Sequence, residues 1–140
     1  MHNIILALHV VGAGLMLGVV FFALVIVFPK VIDASRAALL KTVLKFGTVG
    51  AVWQTITGLI LYFGEADEFK NSRIFWLKMV LFVADGILAL LIIDRKIKAA
   101  EAQNQSAQDK INLGKLPLWS LASLMIILTV IILGVFLTVE

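Results

Sequence analysis

The sequence predicts an all-α integral membrane protein: one domain over residues 1–140, folded as a four-helix bundle with both termini outside and a short amphipathic lead into the second helix. Three observations predict it. The chain has 140 residues, of which 61% are hydrophobic, and its mean hydropathy is +1.06. A soluble domain of that size would expose far too much apolar surface. Apolar runs cover residues 4–28, 42–63, 74–93 and 118–139, and about 20 residues at 1.5 Å each span the hydrocarbon of a bilayer. The basic residues are sorted to one side of those runs. Little chain is left for a soluble domain, so the core should be helix packing rather than a water-excluded centre.

The first helix, 4–28, should end at Pro29–Lys30, since proline cannot continue a helix and lysine suits its C-terminal dipole. No basic segment precedes it and no small-residue cleavage site follows, so it reads as a retained helix rather than a signal peptide. Residues 33–41 (DASRAALLK) form the amphipathic lead, with Asp33 as its cap. Helix 2 then covers 42–63. Helix 3, 74–93, should run out of the bilayer into "DRKIKAAEAQNQSAQDK", with a mobile tip at 103–108. "GKLP" at 114–117 closes that loop before helix 4, 118–139. There is no internal repeat.

Charge sets the orientation. Lys30, Arg36, Lys41 and Lys45 lie in or beside the first loop, and Arg95, Lys96, Lys98, Lys110 and Lys115 in the third. The second loop has Lys70 and Arg73, outnumbered by Glu65, Asp67 and Glu68. The positive-inside rule puts both long loops in the cytoplasm and both termini outside. The basic loops therefore report topology. No basic module with interleaved aromatics is present, so nucleic acid is not an expected partner. Cysteine is absent, which excludes disulfides, thiolate metal sites and a thiol nucleophile.

Several polar residues lie inside the runs. Helices 1 and 3 enter from outside, which puts His9 about 7 Å deep and Lys78 about 6 Å deep, on one outer level. Gln54 lies about 18 Å from the inner end of helix 2 and Asp85 about 16 Å from the outer end of helix 3, both near the midplane. His2, His9 and Met16 share a face of helix 1, and Lys78 and Asp85 share one of helix 3. Gly47, Gly50, Gln54, Thr57 and Leu61 form a stripe on helix 2. Gly14 and Gly18 make a GxxxG pattern, which lets helices approach closely. An ionisable group at the centre of a membrane helix costs about 2.5–3.5 kcal/mol, so each needs a reason. Lys78 either snorkels outward on its long stem or serves a site. Asp85 cannot snorkel, and either links helices by a hydrogen bond to Gln54 or Thr57 or moves protons. His9 is either a neutral, hydrogen-bonded imidazole or a metal or haem ligand. Gly12 and Ala13 beside it are small and should leave a hollow that admits a flat macrocycle.

"ALHVVGAGLMLGVVFF", "WQTITGLILYFG" and "FWLKMVLFVADG" resemble, in order and spacing, three blocks of the HemJ-type protoporphyrinogen oxidases and the related copper resistance protein D (CopD) membrane domains. "FPK" resembles the family's exit from helix 1. The resemblance implies a four-helix membrane protein in which the first-helix histidine, His9, binds haem b and the third-helix lysine, Lys78, is functional. Further histidines typical of that family are missing from "VIVFPK" and "VADGIL". A second axial ligand then falls to Met79, Lys78 or a histidine of another chain.

These readings lead to an inner-membrane protein associated with haem b, in redox or porphyrin chemistry. If an enzyme, it is an oxidoreductase resembling protoporphyrinogen oxidase. His9 is the axial ligand, Lys78 neutralises a carboxylate, and Asp85 with Gln54 serves proton movement or packing. A homo-oligomer or a membrane complex is the expected assembly, within membrane lipid. The runner-up is a non-catalytic accessory subunit of a larger respiratory or photosynthetic complex. A third reading is copper transport through Met1, His2, His9 and Met16.

Overall fold

A computed structural model describes residues 2–64, 69–89, 95, 97–98 and 110–137. It is mostly helical, with four helices: α1 (His2–Val27), α2 (Ala34–Gly64), α3 (Arg73–Ile87) and α4 (Leu116–Leu137). Two short strands, β1 (Val31–Ile32) and β2 (Ile111–Asn112), pair antiparallel, with Val31 opposite Asn112 and Ile32 opposite Ile111. α1, α2 and α4 are each long and apolar enough to cross a membrane. Their outward faces are apolar too: Val49 is 68% exposed and Leu118 62%. Water would penalise such surfaces, whereas lipid would not.

The helix starts have local causes. The Asp33 carboxylate accepts the Arg36 N–H at 2.8 Å and the Ser35 hydroxyl at 2.7 Å. Asp33 thus caps α2 as expected. The amphipathic lead is not a separate piece, because the helix runs unbroken from Ala34 to Gly64. Ser72 caps α3 by accepting the Phe75 N–H at 3.3 Å. Past Ile87 the backbone takes a π turn at Leu88–Ala89; the expected end at 93 and the tip at 103–108 lie outside the described residues. α4 starts at Leu116, two residues earlier than expected, because Pro117 fits a first helical turn, where an N–H has no partner anyway.

α1 packs on α2 and on α4, and α3 packs on α4. α2 meets α3 at one end through Tyr62 and Phe75, stacked at 5.2 Å, with Phe69 stacked on Phe75 at 5.3 Å. At the opposite end, where the basic loops lie, there is a compact apolar cluster. Val27, Ile32, Leu40, Ile97, Ile111 and Leu116 are all nearly or fully buried in it. The β1–β2 pair draws its two loops together, and the Leu113 N–H donates to the Lys30 carbonyl at 2.7 Å. Lys30 makes the turn out of α1 with φ 60, a left-handed conformation. The cluster corrects the expectation of a core made by helix packing alone.

Candidate functional site

The antiparallel register of α1 on α2 sets His9 against Thr57, Gly12 against Gln54, Met16 against Gly50 and Val19 against Gly47. The stripe on α2 is therefore its α1-facing side, with Gln54 and Thr57 buried. Glycines allow the approach. A Cβ on Gly50 would lie 3.1 Å from Met16 Cγ, and one on Gly47 would lie 3.1 Å from Val19 Cγ1.

His9 is half-buried, with Cε1 3.3 Å from where a Gly58 Cβ would stand. Its Nδ1 lies 2.9 Å from Thr57 Oγ1, and the Thr57 hydroxyl donates to the Trp53 carbonyl at 2.9 Å. Gln54, its amide nitrogen turned to α1, donates to the His9 carbonyl at 2.8 Å and accepts the Ala13 N–H at 3.3 Å; that nitrogen also lies 3.2 Å from His9 Nδ1. Trp53 Nε1 donates to the Leu8 carbonyl at 3.3 Å. The roles of the ring nitrogens depend on the tautomer. With Nδ1–H donating to Thr57, Nε2 keeps its lone pair; with the Gln54 amide donating its second N–H to Nδ1, Nε2 carries the proton. The first is the form in which imidazole binds a metal while the other ring nitrogen is oriented by a neighbour.

Two expectations change here. The hollow beside His9 is closed: a Cβ on Gly12 would meet Trp53 Cδ1 at 2.7 Å and the Gln54 amide group at 2.9 Å. The small residue admits α2, not a macrocycle. Gln54 does not join Asp85. It belongs to the His9 turn of α1, because the helix register, not its depth counted along α2, decides what it faces.

Asp85 is buried and accepts the Ser123 hydroxyl at 2.6 Å. Its partner is on α4, rather than Gln54 or Thr57 on α2, since α3 packs on α4. The serine pair Ser120 and Ser123, both buried, was the signal in the sequence that could have found it. Lys78 and Asp85 do share the α4-facing side of α3. The Lys78 ammonium lies 3.2 Å from where a Gly134 Cβ would be. No carboxylate among the described residues pairs with it. Met79, beside it on α3, is half-buried.

Gly14 and Gly18 have nothing within 4 Å of an added Cβ. They floor an apolar groove of about 510 Å³ between α1 and α4, completed by Leu17, Phe21, Leu124 and Leu128. The GxxxG pattern thus serves no contact among the described residues.

The described residues hold no group of three histidines or carboxylates placed to bind a metal. Met1 and the His2 side chain lie outside what is described, and Met16 is packed on Gly50. Of the expected ligand set, His9 is the imidazole whose side chain is described, and the hollow expected beside it for a macrocycle is filled by α2. In comparisons with known proteins, no family model, curated protein or solved structure matches the chain.

Proposed function

We propose that this chain is a multi-pass bacterial inner-membrane protein, termini periplasmic, that holds haem b at His9 and works in redox or porphyrin chemistry of the HemJ/CopD-like kind. One observation carries the reading: the half-buried His9 ring is held at Nδ1 by Thr57 Oγ1 at 2.9 Å, and in its Nδ1–H form Nε2 is the atom that would bind iron. Within this reading, Thr57 orients the ring, Gln54 holds the α1 turn that carries it, and Lys78 attracts a propionate or substrate carboxylate. Met79, Lys78 or a second copy's histidine would supply the second ligand. When bound, the haem supplies one-electron exchange; the acceptor is a separate molecule. Asp85 ties α3 to α4 and is the carboxyl available for proton movement.

The accessory-subunit reading is favoured by another observation. Gly12 is filled by α2, and Gly14 and Gly18 face outward over an apolar groove, as an assembly surface would.

An absorption spectrum of the purified protein, oxidised and reduced, separates the two. The haem reading expects a Soret band and a reduced α-band, both lost in His9→Ala. A protein that is folded, colourless and not reconstituted by added haem would sink it. The accessory role would then take its place.

A further inference from the structure

Lys78 could lie anywhere that its four-carbon stem reaches. An ammonium in a membrane helix ordinarily extends along lipid to the headgroups. Here its Nζ lies 3.2 Å and its Cε 3.8 Å from the position of a Cβ on Gly134. Those two atoms occupy the place a side chain at 134 would take, three residues from the end of α4. The contact has a second anchor two turns along the same face of α3, where Asp85 accepts the Ser123 hydroxyl at 2.6 Å. That bond sets the rotation of α3 on α4, and the rotation aims Lys78 at Gly134. Other glycines show that this is not a general property of the fold. Gly86 on α3 and Gly14 and Gly18 on α1 have nothing within 4 Å of an added Cβ.

We propose that Gly134 is a positioning residue: its missing side chain is the berth that keeps the Lys78 ammonium against α4, rather than extended into lipid. This rests on the reading of Lys78 as the cation of the proposed site. It adds the residue that decides where that cation stands. Among the described residues no carboxylate pairs with Lys78, so position alone determines which anionic group it meets. A side chain at 134 would turn the ammonium outward and leave His9 untouched, since His9 packs on α2.

The test measures the position of Lys78 directly. The full chain in nanodiscs is treated with a water-soluble amine-reactive ester, and modification of Lys78 is followed by mass spectrometry. Lys70 and Lys115 serve as internal standards. Gly134→Leu fills the berth and should raise the rate at Lys78 about tenfold, the scale of promoting a minor state near 10% to dominance. Gly134→Ala should raise it by a smaller factor, because a methyl at 3.2 Å needs only a small shift of a flexible tip. Gly86→Ala, in open space, should leave it unchanged. Equal Lys78 rates in the wild type and both Gly134 variants, with helicity retained, would overturn the proposal. Should Gly134→Leu not fold, the Ala variant decides alone. The haem reading fails separately, since a colourless protein with the expected labelling pattern refutes haem binding and leaves the berth standing.

Discussion

Gly12→Ala tests the α1–α2 packing that positions His9. A methyl at residue 12 would sit 2.7 Å from Trp53 Cδ1 and 2.9 Å from the Gln54 amide group. Ordinary carbon contacts are about 3.5–4.0 Å, so close to an ångström of overlap must be relieved. Trp53 has little freedom to give way while its Nε1 donates to the Leu8 carbonyl at 3.3 Å. Gln54 is tied to the His9 carbonyl and the Ala13 N–H. Either the helices separate or these bonds break. Overpacking costs about 1–3 kcal/mol, and each interhelical hydrogen bond lost in a membrane adds about 0.6 kcal/mol. Alanine's better helix propensity returns up to about 1 kcal/mol. The expected net loss is about 1–3 kcal/mol on those figures. Gly14→Ala is the matched control, since nothing lies within 4 Å of its added Cβ; it should be neutral or stabilising by up to about 1 kcal/mol. Unfolding in mixed detergent micelles, followed by tryptophan fluorescence, reads both. Equal stabilities for the two variants would refute the reasoning, because their only difference is what the methyl meets.

Five further outcomes are expected. Thr57→Val keeps the shape and removes the hydroxyl beside Nδ1; the haem reading expects nitrogen NMR to show the Nδ1–H tautomer in the wild type and its loss in the variant, and an unchanged tautomer would mean Thr57 does not set it. Ser123→Ala leaves the buried Asp85 carboxyl without its donor and should cost about 1–3 kcal/mol in the same unfolding assay. Asp85→Asn should be tolerated and Asp85→Leu should cost more; an Asn variant that folds but loses function would show that the carboxyl's proton matters. At Asp33, the Arg36 N–H and then the Ser35 hydroxyl hold the carboxyl below its ordinary value of 3.8. A depressed folded value means that the cap is at full strength above pH 3.8 and is lost as pH falls through the folded value. The protection of the Arg36 amide relative to its intrinsic exchange rate should therefore fall only in strong acid, and protection unchanged through that range would remove the cap from the account. A reporter fused after Glu140 should behave as periplasmic and one near Gln105 as cytoplasmic, with the reverse pattern inverting the orientation.

The sequence by itself determined the helical class, the apolar spans and the polar residues within them, because composition and run length alone decide what a bilayer can hold. It also determined the Asp33 cap and the shared face of Lys78 and Asp85, since capping and helical periodicity are local. Only the tertiary structure decided the partners. Gly12 looks like a hollow when α1 is considered alone, and it becomes a contact once α2 lies across it. Gln54 and Asp85 stand at similar depths along their own helices, yet one faces α1 and the other α4. The apolar cluster and the β1–β2 pair join residues some 80 positions apart in the chain, which no local period can reveal. Gly134 carries no chemistry to notice in the sequence. It gains a role only because the rotation of α3, set by Asp85 and Ser123, lays the Lys78 ammonium over it.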